Sequence, residues 1–381
     1  MESVYNQFEK RFNSIEELEE YKEKLPADNA STEPKLNLQL FGSSQADTET
    51  KIAPSVTIAD THKTEHFSTI RQGNATNALT KLKAIEGKNA KIDATGTATI
   101  TKGNFALTIP NYAKLSGLKT STYQLLDIIT VALTITGAKS PTVIISLDEY
   151  MKRRGLKDRK EAKNQVKEDL EVLRQASITG EEKRGKNTQA YSFVNIADSG
   201  EIRRNGEIVF TFGNTFYNML LGYPVMPYPA QLQTINNKRN PNSYYLLRKI
   251  AEHKNMNVGK KNEDIIAVKT LLDVSPFIPS FEEVKAGNRN IGDRIITPFE
   301  RDMDALDETL CWHYCHSNGE SLTDTELQNF SYEVFSTLMI KTKWKNYPDQ
   351  TARLERKAER AEQVKKTKNN TNSKKKTDKP A

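Results

Sequence analysis

Apolar positions along this chain recur with two periods, and each change of period marks an element boundary. Residues 94–101 and 104–110 alternate apolar and polar side chains and meet at Lys102 and Gly103, which predicts a β-hairpin. Helical spacing takes over at about residue 122 and runs to 134. Ser121 is placed to cap this helix and Gln124, three residues on, to return the bond. The longest apolar run, residues 125–138, is too short to span a membrane and carries Asp127, so it reads as a buried core helix.

The pattern is richest from Ser146 onward. Ser146 and Glu149 form a capping box, and Gly155 offers the left-handed residue that ends a short helix. Asp158 and Glu161 form a second box three residues beyond that glycine. Two helices joined through Gly155, Leu156 and Lys157 make a helix-turn-helix. In the second helix Ala162, Val166, Leu170 and Leu173 share one face and define a core stripe. Lys160, Lys163, Asn164 and Lys167 share another. An amide among three ammonium groups suits a surface that reads base edges while its neighbours hold phosphates. A basic loop with Lys183, Arg184 and Lys186 follows, then a strand over 190–197, a turn through Arg203, Arg204, Asn205 and Gly206, and a strand over 207–212. Asn-Gly predicts a type I′ turn. Helix-turn-helix followed by a β-ribbon is the element order of a winged helix, expected here over residues 67–222.

Residues 223–241, with Pro224, Pro227, Pro229 and Pro241 and few charges, read as a linker. Residues 242–350 then repeat the order. Ser243 is expected to cap a helix bearing Tyr244, Leu247, Ile250 and Ala251, and residues 265–274 to form another. Ser280 with Glu283 boxes a short helix that stops at Gly287. Thr297 with Glu300 boxes a further one, with Pro298 at the favoured first position and a core stripe of Phe299, Met303, Leu306 and Leu310. The pattern leaves open whether residues 293–296 form an earlier, kinked turn of that helix. A β-ribbon over 312–315 and 332–344, turning at Asn318 and Gly319 or through a longer loop, closes the block. The fold class is α+β: two tandem winged-helix domains with disordered tails.

Composition accounts for the tails. Of 381 residues 36% are hydrophobic, and the mean hydropathy of −0.67 is low for one compact globule. Residues 1–66 lack sustained periodicity apart from a Glu-rich stretch at 14–25 and an apolar island at 36–41, and residues 351–381 decay into Lys/Asn/Thr/Ser repeats. The N-terminus lacks the apolar core of a secretion signal, and two cysteines give no disulfide framework, so a reducing, cytoplasmic setting is expected. The net charge is +7; residues 1–66 carry 7 basic against 13 acidic side chains, and residues 351–381 carry 11 against 4. The inner excess concentrates in residues 152–167, on Lys152, Arg153, Arg154, Lys157, Arg159, Lys160, Lys163 and Lys167. Basic charge gathered on one element is the footprint of a phosphate-binding surface.

Short phrases at 103–110, 121–127, 146–151 and 294–300 make residues 95–345 resemble plasmid replication initiators of the tandem winged-helix type. The resemblance implies a protein that binds repeated origin sequences in double-stranded DNA, helps open the adjacent duplex and recruits host replication proteins such as the helicase. It also implies dimers that repress their own promoter. By position it places one recognition helix at 159–175 and a second at 293–308, where Asp302, Asp304 and Asp307 depart from a basic surface. The island at Asn37, Leu38, Leu40 and Phe41 resembles the pentapeptide by which bacterial proteins dock on the sliding clamp, with Asn37 where that motif usually has Gln.

Other chemistries fit less well. Gly180, Gly185 and Lys186 nearly spell a nucleotide-binding loop, but Asn187 stands where Ser or Thr would hold Mg²⁺, so the segment reads as a wing loop. Cys311, His313, Cys315 and His316 crowd too closely for a tetrahedral zinc site. His62, His66, His253, His313 and His316 never form the His-hydrophobe-His motif of a rolling-circle nicking enzyme. The expectation is a DNA-binding protein without catalytic residues, metal or cofactor. Its contacts would be Arg159, Lys160, Lys163, Asn164, Lys167, Lys183, Arg184, Lys186, Arg203 and Arg204, with Lys285, Arg289 and Arg294 in the second domain. A winged-helix transcriptional regulator is the alternative.

Overall fold

The computed structural model describes residues 57–58, 66–73, 76–77, 91–102, 105–109, 119–184, 187–287, 290–323, 325–326, 331–351 and 354–355. The candidate clamp-docking residues Asn37, Leu38, Leu40 and Phe41, the basic candidates Lys186 and Arg289, and nearly all of both tails lie outside them. The described chain is a mixed helix and sheet structure.

Strands β1 (Thr57–Ile58), β2 (Phe67–Arg71), β3 (Lys91–Ile92), β4 (Ala98–Lys102) and β5 (Phe105–Ile109) precede helix α1 (Thr120–Ile135). All of α1 from Thr120 to Leu133 is buried, which is why its apolar pattern runs around the helix instead of along one stripe. Ser121 and Gln124 do not cap it. The cap position is Lys119, without a side-chain bond, and both polar side chains are used in tertiary contacts.

Strand β6 (Thr142–Ser146) leads directly into α2 (Leu147–Arg154) and, after four residues, α3 (Arg159–Gln175). Ser146 accepts from Glu149 N at 3.0 Å, Asp158 accepts from Glu161 N at 2.7 Å, and Gly155 takes φ +63°. The stop and the two caps are as read from the sequence, each cap being the N-cap side chain on the N3 backbone N–H without the reciprocal bond of a full box. A hairpin, β9 (Ala197–Ile202) and β10 (Glu207–Phe212), pairs through β10 with β6, giving the sheet order β1-β6-β10-β9. Its turn is not type I′: Gly206 alone has positive φ, at +88°, with Gly206 N donating to Arg203 O at 3.0 Å and Arg203 N to Glu207 O at 2.8 Å. That is a type I turn closed by a glycine bulge. The same bonds recur at residues 93–97 around Gly96 and at 316–320 around Gly319.

Between α3 and this hairpin the chain makes an excursion, β7 (Ser177–Arg184) and β8 (Asn187–Asn195). The pair joins a second sheet of order β3-β4-β5-β7-β8. Lys183 and Arg184 therefore end a strand in a different sheet from β9 and β10, and the described part of the segment read as a wing loop belongs to the two strands of that other hairpin.

The proline-rich stretch is not a loose linker. After α4 (Asn214–Gly222), residues Val225–Pro229 form β11, antiparallel to β2, and a short α5 (Gln231–Thr234) follows. Tyr228, Leu232, Gln233 and Ile235 are buried. Prolines fit because, among the described strands, β11 pairs on one side only, so their missing N–H groups break no ladder.

The last block comprises α6 (Ser243–Asn257), β12 (Ile265–Ala267), α7 (Val268–Leu272), α8 (Phe281–Ala286), a π-helical turn at Gly292–Ile296 that runs into α9 (Thr297–Asp304), β13 (Leu310–Cys315), α10 (Tyr332–Thr337) and β14 (Met339–Trp344). The Ser280–Glu283 capping box forms in full. Four expectations change. Residues 265–267 are a strand, as two adjacent isoleucines favour, and not helix. Ser243 sits inside α6 and donates to Asp302 O at 2.7 Å. Thr297 caps nothing, because the π-helical turn already precedes it. The ribbon is β13 against β14, within a sheet of order β12-β14-β13, and its second arm is shorter than expected because residues 332–337 form α10, capped by Ser331.

Candidate nucleic-acid interface

Helix α3 separates cleanly into a packed and an open side. Ala162, Val166, Leu170, Val172 and Leu173 are buried, as is Asp169. Asp169 accepts hydroxyl bonds from Ser121 at 3.0 Å and Thr122 at 2.6 Å, and Gln165 Nε2 donates to it at 3.2 Å. These bonds brace α3 against the start of α1. Burial pushes the Asp169 carboxyl up to about 6, against the lowering effect of its three donors. A raised carboxyl makes the folded state hold its proton where the unfolded chain has lost it. Its contribution is therefore full below about pH 4 and is lost as pH rises to about 6. Relative to Asp169→Asn, the wild-type chain should lose about 2–3 kcal/mol of stability across that window and stay level above it. Denaturant titrations of both proteins at pH 4, 5, 6 and 7 measure the difference; a flat difference contradicts this account of the brace.

The open side carries Lys160, Lys163, Asn164 and Lys167, all exposed and none with a hydrogen bond or ion pair to another described residue. Lys152, at the end of α2, and Lys157, in the turn, are exposed in the same way; the charge count flagged both, but periodicity did not single them out. Other cations in the window serve the fold. Arg153 donates to Glu149 at 2.7 Å and to Gln233 at 2.8 Å, and Arg154 donates to Gln233 O at 2.8 Å. Arg159 pairs with Asp148, and its guanidinium lies under Gly206, where a Cβ would meet it at 2.7 Å. Arg203 is held by Glu201 and Glu207 across its own hairpin, at 2.8 and 3.1 Å. Arg204, beside it, is exposed without a described partner.

The result is a division of charge. Apart from Asp158 and Glu161, exposed and without an ion pair among the described residues, nearby carboxylates are answered internally: Asp148 by Arg159, Glu149 by Arg153, Glu168 by Lys119 at 2.8 Å, and Glu171 by Arg174 at 2.6 Å. The lysines of α3 are not. Lysine in the first turns of a helix also opposes the macrodipole, so these positions add to the positive field at a small cost in helix stability. The β9–β10 turn packs on the start of α2, where Leu147 N donates to Gly206 O at 2.8 Å, and beside Arg159 at the start of α3. Lys183 and Arg184 belong to the other sheet, and their side chains lie outside the described residues.

The second half presents a different surface. Lys285 is exposed with its ammonium 5.6 Å from the Phe281 ring, and that ring stacks on Tyr332 at 4.3 Å. Arg294 is exposed and lines a shallow cleft with Phe277, Glu283, Asp293 and Arg301. The rest of the exposed α9 surface is mixed or acidic, with Asp304, Asp307 and Glu308 at its end. Asp302 is buried instead, accepting from Asn242 N at 2.9 Å and Asn242 Nδ2 at 2.8 Å. Cys311 and His313 are exposed on β13 while Cys315 is buried, and no group of described residues forms a metal-binding cluster. No described helix is long and apolar enough to cross a membrane.

Two solved structures of domains 2 and 3 of RctB align with 69% of this chain. One, a selenomethionine derivative, does so over 98% of its own length at 10% identity with a TM-score of 0.38. The other does so over 96% at 7% identity with a TM-score of 0.35. Likeness at that level carries no argument about fold or function. The sequence matches no protein-family model and no curated protein.

Proposed function

We propose that the chain is a sequence-specific DNA-binding protein that initiates replication at repeated origin sites, without enzymatic chemistry of its own. In this reading residues 119–212 act as a winged helix: α3 enters the major groove and the β9–β10 turn lies along the flanking backbone. Asn164 reads a base edge, where an amide can bond adenine in two places, and Lys160, Lys163 and Lys167 hold phosphates. The observation that carries it is the set of four exposed side chains on α3, three cations and one amide, that no described residue engages. Of the basic residues expected to make contacts, Arg159 and Arg203 then serve by shaping the surface, and Arg204 by reaching the backbone.

The initiator role, recruitment of host helicase or clamp, dimer formation and residence in the bacterial cytoplasm rest on the resemblance to plasmid initiators. Block 242–350 is read as the second winged helix of that family, with Lys285, Arg289 and Arg294 as subsidiary contacts. Transformation tests the role. A plasmid whose only origin is the DNA flanking this coding sequence should yield colonies when the chain is supplied in trans. Binding to that DNA without any transformants would favour the transcriptional regulator, and nicking of supercoiled plasmid would favour a rolling-circle enzyme.

A further inference from the structure

The second half lacks a basic reading helix, yet the outer face of its three-stranded sheet is cationic. Lys341 and Lys343 alternate along β14 and Lys345 continues the series just past its end; all three are exposed, while Ile340 and Thr342 are buried on the opposite face. The register sets Lys341 beside His313 and Ile265, and Lys343 beside Cys311. The paired positions on this face thus hold no carboxylate. Glu263 and Asp264, at the approach to β12, are both taken by Lys254 at 2.8 Å, and Glu326 faces His316 at 3.3 Å.

No described residue explains this lysine ladder. Lysine commonly guards edge strands against mispairing, but β14 is the central strand of the three. It is otherwise depleted in strands, and like charges on one face repel. Lys341 donates to Gly319 O at 3.2 Å and Lys345 to Asp307 O, both neutral carbonyls that leave the charge uncompensated, and Lys343 has no described partner.

We propose that this face is a second phosphate-binding surface, which holds the backbone of the same duplex beyond the site engaged by α3. The proposal rests on the DNA-binding reading of α3. A polyanion supplies the missing negative charge. Same-face lysines about 7 Å apart span roughly 14 Å of strand, a length over which duplex DNA offers about four phosphates per strand. The 11 basic residues of 351–381 follow directly in sequence and extend the same polarity.

The test compares the full-length chain with Lys341→Gln/Lys343→Gln on a duplex bearing the origin repeats, at several salt concentrations. Two lost phosphate contacts should flatten the slope of log affinity against log salt by about 2 and weaken binding roughly ten- to thirty-fold at physiological salt. The loss should be equal on a scrambled duplex, because phosphate contacts carry no sequence. Lys343→Gln alone, which removes no described contact, should flatten the slope by about 1 and serves if the double variant unfolds on heating earlier than wild type. An unchanged slope in a folded variant overturns the proposal, as does a loss seen only on anionic vesicles or with an acidic protein. If Lys163→Ala/Asn164→Ala abolishes site binding while the β14 variants bind normally, this inference alone fails. If the wild-type chain binds no duplex at all, both readings fail.

Discussion

Alanine at Asp127 should lower the unfolding free energy by about 3–5 kcal/mol and the melting temperature by on the order of 10 °C. Asp127 lies within the most apolar helix of the chain, 4% exposed, and accepts bonds from Tyr228 at 2.9 Å, from Tyr244 at 2.7 Å and from the Arg248 guanidinium. Those donors come from β11 and α6 and Asp127 itself from α1, so one carboxylate ties together the parts of the chain on both sides of the proline-rich stretch. Burial opposes the charge on Arg248, but Asp127 and the two tyrosine hydroxyls outweigh it and the guanidinium is shifted up. Burial and the Asp127 charge push the Tyr228 hydroxyl up; for Tyr244 the order is burial, opposed by Arg248, then Asp127, with the same net direction. Removing the carboxylate leaves a buried cation and two hydroxyls without their acceptor. Arg248→Met added to Asp127→Ala should recover much of the loss, because an apolar pair avoids the desolvation that a lone charge suffers. Guanidinium melts of the three proteins decide it. A loss under about 1 kcal/mol for Asp127→Ala, or a double variant that adds to the damage, contradicts the account.

Lys163→Ala/Asn164→Ala should weaken binding to the specific site by about 2–4 kcal/mol, or roughly 30- to 1000-fold, while changing stability little. The two positions are exposed and their neighbours Ala162 and Val166 keep the packing, and alanine is at least as good a helix former as either residue. The components should separate. Asn164→Ala alone reduces the gap between specific and scrambled duplex, because an amide bonding a base edge discriminates by about 1–3 kcal/mol. Lys163→Ala alone weakens both duplexes alike and lowers the salt slope by about 1. Electrophoretic or fluorescence titrations at two salt concentrations resolve these effects. Equal affinity on both duplexes for wild type would remove any sequence-reading role from α3.

The helix-turn-helix was legible because its signals are local. Ser146, Gly155 and Asp158 act on backbone groups within four residues, and the stripe Ala162, Val166, Leu170 and Leu173 repeats within one helix. Polar residues with a distant partner were not. Ser121, Gln124 and Ser243 look like caps, yet they bond Asp169, Leu232 O and Asp302 O, contacts 48, 108 and 59 residues away. A hydroxyl at a helix start can serve either use, and spacing does not distinguish them. The charge window overstated the site because a count of cations ignores their partners: Arg153 and Arg159 are engaged by the nearby Glu149 and Asp148, and Arg153 and Arg154 by the distant Gln233. The prolines at 227 and 229 signalled a break because the sequence does not reveal that β11 has only one neighbour among the described strands. The excursion β7–β8 hid the sheet partner of β6, strand β10, which arrives only at Glu207.

Footprinting on the DNA that flanks the coding sequence, with wild type and Lys163→Ala/Asn164→Ala side by side, tests the role of α3 most directly. The account predicts protection of repeated sites by the wild-type chain, with major-groove guanines or adenines shielded at the centre of each, and loss of that protection in the variant at equal concentration. Identical protection by both proteins, or none that recurs between repeats, would contradict it.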